Sequence, residues 1–114
     1  MNRTIIKIHF DSQVVANAIK YDELVGQVTD NLEKCYHRTD YVVKIEKGCR
    51  LMDLSLLVYR LVDKIRNNCS HVIALNDPYS NDIVYSSDST DNEMRIVSVV
   101  YYIPLELKKE EDYL

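Results

Sequence analysis

Asp53-Leu54-Ser55-Leu56-Leu57-Val58-Tyr59-Arg60-Leu61-Val62-Asp63-Lys64-Ile65-Arg66-Asn67 is the stretch whose reading decides the fold. Leu54, Leu57, Val58, Leu61, Val62 and Ile65 recur at helical spacing and make a broad apolar stripe, while Arg60, Asp63, Lys64 and Arg66 face away. Asn67-Asn68 supplies a stop, because Asn tolerates the left-handed conformation of a helix end. A helix this apolar on one side must cover a sheet. Both neighbours read as strands. Asp40-Tyr41-Val42-Val43-Lys44-Ile45-Glu46, closed by Lys47-Gly48, precedes it, and His71-Val72-Ile73-Ala74-Leu75 follows.

Working outward, Thr4-Ile5-Ile6-Lys7-Ile8-His9-Phe10 alternates, with Ile6, Ile8 and Phe10 on one face and Lys7 and His9 on the other. Asp11-Ser12 suits a turn or a cap. Val14, Val15, Ala18 and Ile19, then Leu24, Val25, Val28 and Leu32, place one or two helices between residues 12 and 36, with Asp22 as a candidate second cap. Beyond Leu75, Asn76-Asp77-Pro78-Tyr79-Ser80 reads as a turn, Ile83-Val84-Tyr85 as a brief strand and residues 86–92 as a polar loop. Met94 to Ile103 is the strongest strand. Val97, Val99, Tyr101 and Ile103 are expected on one face, and Ile96, Val100 and Tyr102 on the other. Apolar residues on both faces mark a central strand or one covered by a partner. Pro104 is expected to end it, giving a single domain over 1–104 and a charged tail over 105–114, a frayed helix or disordered. The expected fold is α+β: a two-layer sandwich with a mixed four- to five-stranded sheet, two or three helices on one face and a C-terminal β-hairpin.

The chain is 114 residues long, 46% hydrophobic and 28% charged with two glycines and two prolines, the proportions of one globular domain able to bury its own core. No apolar run approaches the roughly 20 residues that cross a bilayer, and the N-terminus has no apolar segment of the signal-peptide kind. The expectation is an intracellular, cytoplasmic protein. Its three cysteines, Cys35, Cys49 and Cys69, are an odd number, which points to reduced thiols, at least two of them packed as small hydrophobes.

Chemistry-bearing patterns are few. Cys35-Tyr36-His37 and Cys69-Ser70-His71 repeat a Cys-x-His spacing, and residues two apart in an extended segment share a side. Two such pairs would supply four tetrahedral zinc ligands, although structural zinc sites use wider spacings. The same residues drawn as thiol–imidazole dyads lack a Gly-rich elbow to hold an oxyanion. The paired carboxylates lie at a helix start, in a loop and on the tail, where they are solubilising charge. No phosphate loop, dinucleotide fingerprint or calcium loop is present. No cofactor and no catalytic residue is assigned.

The net charge of −4 argues against a general nucleic-acid or anionic-membrane binder, but it is unevenly spread. Between Lys44 and Arg66, six cations face three anions, a local +3 that leaves −7 elsewhere. Lys44, Lys47, Arg50, Arg60, Lys64 and Arg66 could meet phosphates, with Tyr59 stacking on a base. Strand, Lys-Gly, basic helix and apolar strand over residues 41–75 resemble the start of the small chromatin-type α/β nucleic-acid binders of the Alba kind. No second helix follows the Leu75 strand and the overall charge is opposite, so the resemblance assigns no family.

Nine tyrosines with one Phe and no Trp supply nearly all the aromatic surface, and tyrosine suits interfaces. The favoured reading is a non-enzymatic interaction protein, a homodimer meeting its partner through Val97, Val99, Tyr101 and Ile103. Small size and the lack of motifs are shared with accessory proteins of viruses and mobile elements. The alternative is a nucleic-acid-binding module using the basic segment, and the third a protein stabilised by zinc on Cys35, His37, Cys69 and His71.

Overall fold

A computed structural model describes residues 2–14, 16–36, 38–46, 49–86 and 95–108. Strand β1 runs over Asn2–Asp11. Its alternation buries Ile6, Ile8 and Phe10 and leaves Ile5 and Lys7 exposed. Helix α1, Tyr21–Glu33, carries the chain to β2, Asp40–Lys44, which pairs with β1 in parallel from Lys7↔Asp40 to Asp11↔Lys44. Helix α2, Leu51–Asn68, then crosses to the far side of the sheet. There β3, Val72–Leu75, and β4, Tyr79–Ser86, precede the long β5, Arg95–Leu107.

β5 lies antiparallel to β1 over ten pairs, Asn2↔Leu107 to Asp11↔Ser98. Its other edge is shared end to end: β3 takes residues 105–107, and β4 takes residues 95–102 and forms the C-terminal hairpin with it. The order is β2-β1-β5-β3, with β4 beside β3 on β5, a mixed five-stranded sheet with two helices and an α+β layout as the alternating pattern implies. α1 and α2 run side by side in the same direction on one face. The Tyr21 hydroxyl donates to the Leu57 carbonyl at one end, and the Cys69 thiol meets the Thr29 carbonyl at the other. Between helices and sheet lies one core, built from Ile6, Ile8, Phe10, Leu24, Val28, Leu54, Val58, Leu61, Ile65, Val99 and Ile103.

Several local readings change. The segment over residues 12–36 holds one helix, starting at Tyr21; Lys20 takes the cap position without a side-chain bond, and Asp22 sits in the first turn. Asp11 makes a turn by accepting the Gln13 N–H at 2.7 Å. Ile19 then bridges Val43 and so covers the outer edge of β2. Tyr79 and Ser80 belong to β4 rather than to the preceding turn.

The strand expected to stop at Pro104 continues to Leu107, and Leu105 is buried. Proline lacks the N–H that a central strand requires. Pro104, however, faces the gap between β3 and β4: its carbonyl accepts from Asn76 on that side, so β1 loses no bond. Residues 105–107 are therefore sheet, while residues 109–114 of the expected tail lie outside the described residues. The facing of β5 also changes. Val84↔Ser98 is followed by Tyr85↔Ile96, so Val97 is an extra residue in the ladder. That bulge shifts the alternation and puts Ile96 inside with Val99, Tyr101 and Ile103.

Among the described residues, no helix is long and apolar enough to cross a membrane. Gly26 lies on the exposed side of α1 with open space where a Cβ would go. Gly26→Ala should therefore stabilise the protein by about 0.5–1 kcal/mol through helix propensity alone. Urea titration checks this, and a loss of stability would mean that this face of α1 is covered by something.

Candidate functional site

Cys69 and His71, the Cys-x-His pair that lies wholly within the described residues, do not act together. Cys35 lies just past the end of α1 with φ 59°, the left-handed position of a helix C-terminus that Gly or Asn usually fills. The Tyr36 N–H reaches the Asn31 carbonyl and the Cys35 N–H the Leu32 carbonyl, which completes the motif. Cys35 Sγ then stands 3.5 Å from His71 Nδ1, which is also 3.0 Å from the Leu32 carbonyl. The cysteine of one pair thus meets the histidine of the other. Cys69 turns inward instead, its Sγ 3.8 Å from the Thr29 carbonyl, while the Glu33 carboxylate accepts from the Ser70 N–H and hydroxyl beside it. Burial, and secondarily the Glu33 charge, push the Cys69 thiol up to about 11. Cys49 packs against the core, and burial raises its pKa as well. All three cysteines are free. His37 lies outside the described residues, and among those described no three of His, Cys, Asp and Glu converge on a metal position.

The basic set is divided by the fold. Lys44 alternates with buried Val43 on β2 and so lies on the sheet face opposite the helices. Tyr59, Arg60, Lys64 and Arg66 lie on the exposed side of α2, with the sheet between them and Lys44. Arg50 pairs with Asp53 at 3.4 Å and Arg66 with Asp63 at 4.0 Å, which neutralises part of the local charge. Lys47 lies outside the described residues.

Of the residues expected at an interface, Val99, Tyr101 and Ile103 are core positions under the helices, and Val97 is the half-buried residue of the bulge. The Tyr101 ring meets Phe10 edge-on at 5.9 Å, and its hydroxyl lies 2.6 Å from Ser55 Oγ. Val99, Tyr101 and Ile103 are held inside this chain and are not available to a second one. What the fold leaves open is the other face of the same strand.

That open face has a definite composition. β1 contributes Arg3, Ile5, Lys7 and His9; β2 contributes Asp40, Val42 and Lys44; β5 contributes Val100, Tyr102, Pro104 and Glu106. Tyr79 of β4 stacks on Tyr102 with ring centroids 5.2 Å apart and planes 16° apart. Arg3 meets Glu106 at 3.5 Å and His9 meets Asp40 at 3.8 Å at the margins of this patch. Ile5, Pro104, Arg3, Glu106 and Asn76 line a shallow concavity of about 270 Å³ on it. Register assembles this face: Ile5↔Pro104, Lys7↔Tyr102 and His9↔Val100 are direct neighbours. No described helix covers it.

A second, smaller patch lies on α2. Met52, Leu56 and Tyr59 are 78%, 52% and 50% exposed and sit at i, i+4 and i+7, directly opposite the buried stripe. The spacing of these three is visible in the sequence. The membership of Ile5, Tyr79 and Pro104 in the open sheet face is not, because it depends on which strands adjoin. No protein-family model, no curated protein and no solved structure matches this chain.

Proposed function

We propose that this chain is a non-enzymatic interaction protein whose working surface is the open face of the sheet, and that it pairs there with a second copy of itself. The observation that carries this reading is the run of Ile5, Val42, Val100, Tyr102, Pro104 and Tyr79, which no other described element covers, on a sheet whose other face packs against the helices. Large uncovered apolar patches rimmed by polar groups mark interaction sites.

Size separates the two exposed patches. Ten paired residues at about 3.3 Å and four strand positions at about 4.8 Å make a face of at most about 600 Å². Two such faces bury about 1,000–1,200 Å², which reaches the lower limit of a specific interface. The exposed side of the 18-residue α2, about 27 Å long and about 10 Å wide, offers under half of that. The sheet is the better dimer surface, and its near balance of charge suits a protein partner more than a phosphate backbone. The free thiols fit a reducing compartment such as the cytoplasm.

Light scattering coupled to size exclusion at about 100 μM is expected to give a dimer. Val100→Lys places an unpaired charge at the centre of the face without touching the core, and should weaken the dimer at least tenfold. A parent that stays monomeric at that concentration would overturn the reading. So would a dimer indifferent to Val100→Lys but dissolved by Leu56→Lys, since that result moves the interface to α2.

A further inference from the structure

The open face carries enough asymmetry to orient a second copy, and the inference here rests on the reading that the face is used for pairing. Its two central strands differ in character. On β1 the open side reads Arg3, Ile5, Lys7, His9, a basic row with one apolar residue. On β5 the residues beside them read Glu106, Pro104, Tyr102, Val100, one acid and three apolar or aromatic groups. Each strand is the complement of its neighbour.

Two sheets packed face to face by a two-fold axis have two simple choices. An axis across the strands lays β1 on β1 and β5 on β5. The basic row of Arg3, Lys7 and His9 then faces its own copy wherever the axis crosses the strands, and like charges facing across an interface are costly. An axis along the strands, between β1 and β5, lays β1 of each copy over β5 of the other. Arg3 then falls over Glu106 of the second copy, Ile5 over Pro104, Lys7 over the Tyr102 ring and His9 over Val100, and the two-fold repeats every contact. Aligned sheets cross at about 30°, which displaces positions four residues from the centre by about 7 Å, still within reach of an Arg and a Glu side chain together.

We propose that the partner is a second copy related by the axis along the strands, with Arg3 of each chain facing Glu106 of the other. Arg3 and Glu106 thereby select the orientation of the pair, as rim charges do when they exclude an alternative register. The Tyr79–Tyr102 stack fixes the Tyr102 ring in place, so that the Lys7 stem of the opposite chain meets a held surface.

The test must separate this contact from the Arg3–Glu106 pair within one chain, and mixing two single variants does so. Arg3→Glu alone sets Glu against Glu106 twice in its homodimer, and Glu106→Arg alone sets Arg3 against Arg twice. Each should dimerise at least fivefold more weakly than the parent. Mixed in equal amounts, they regain both complementary contacts only between unlike chains. Native mass spectrometry should then show heterodimer well above the statistical half. The doubly swapped chain, Arg3→Glu with Glu106→Arg, should recover the parent's affinity.

A statistical mixture of homodimers as stable as the parent would overturn the proposed axis while leaving the dimer itself standing. A dimer weakened equally in both variants, with no gain on mixing, would overturn it as well, because the pair would then act within each chain. A monomeric parent overturns the pairing reading beneath it. The single variants alter only surface side chains, and unfolding curves close to that of the parent are expected for both.

Discussion

Phe10→Ala should melt roughly 10–20 °C below the parent, the consequence of losing about 3–5 kcal/mol from a protein of this size. Phe10 has no exposed surface. It sits between Val43 of β2 and Val99 of β5 in the sheet register, and its ring meets the Tyr101 edge beneath the helices. Truncation removes the transfer energy of the ring, opens a cavity that a three-strand junction closes poorly, and strips Tyr101 of its aromatic partner. A domain has about 5–15 kcal/mol in all, so this one change consumes a large share of it. His9→Ala, one residue away on the open face, should cost under about 1 kcal/mol. The two together test the register of β1, because a one-residue slip would exchange the faces of Phe10 and His9. Urea unfolding of both variants decides it: a small loss at Phe10 with a large one at His9 would mean that the strand is paired out of phase with its neighbours.

The same periodicity explains how much of the fold is legible in the residues. Wherever one face alone is apolar, as in Ile6-Lys7-Ile8-His9-Phe10 or in Leu54, Val58, Leu61 and Ile65, the pattern and the structure agree, since burying the wrong side would expose three or four large side chains. β5 is different. Its two faces are both apolar, so alternation cannot say which side meets the helices, and of Val97, Val99, Tyr101 and Ile103, expected at an interface, the last three lie under the helices instead. The bulge at Val97 compounds this, since one inserted residue breaks the period of two. Pro104 misleads for a related reason. Its cost depends on whether its missing N–H falls on a partner or on a gap, and the gap exists only because β3 and β4 are separate pieces on one edge.

The candidate surface is less legible still, and the reason is pairing order. Ile5, Tyr102 and Tyr79 come from three stretches whose adjacency requires the order β2-β1-β5 with β4 outside. Nothing local to any of them encodes it. The cysteines show the same limit. Spacing suggests Cys35 with His37 and Cys69 with His71, but α1 and α2 end side by side, so Cys35 and His71 meet across 36 positions of sequence. Their contact follows from parallel helices whose C-terminal ends coincide, a property of packing rather than of the Cys-x-His repeat.

Cys69 leads to the second large effect, a loss of stability in alkali. Its thiol is raised from an ordinary value near 9 to about 11, chiefly by burial under the ends of both helices and then by the nearby Glu33 carboxylate. The folded protein therefore keeps this proton where the unfolded chain gives it up. Below pH 9 both states hold the proton and stability is unaffected. From pH 9 to 11 the unfolded state alone is ionised, so the unfolded state binds fewer protons and stability falls as pH rises. At 1.36 kcal/mol for each unit, the full loss across that window is on the order of 2–3 kcal/mol. Tyr21 and Tyr41, both raised from 10 chiefly by burial, act in the same direction at the upper end of the range. Urea titrations at pH 8, 9, 10 and 10.5 with a reductant present should show the decline. Cys69→Ala has nothing to ionise at this site. It should begin slightly less stable than the parent, by about 1 kcal/mol for the lost sulfur, yet decline less steeply, so that the two curves converge near pH 10. Parallel curves would show that Cys69 is not shielded where the helices end, and the packing that brings Thr29, Glu33 and Ser70 around it would have to be redrawn.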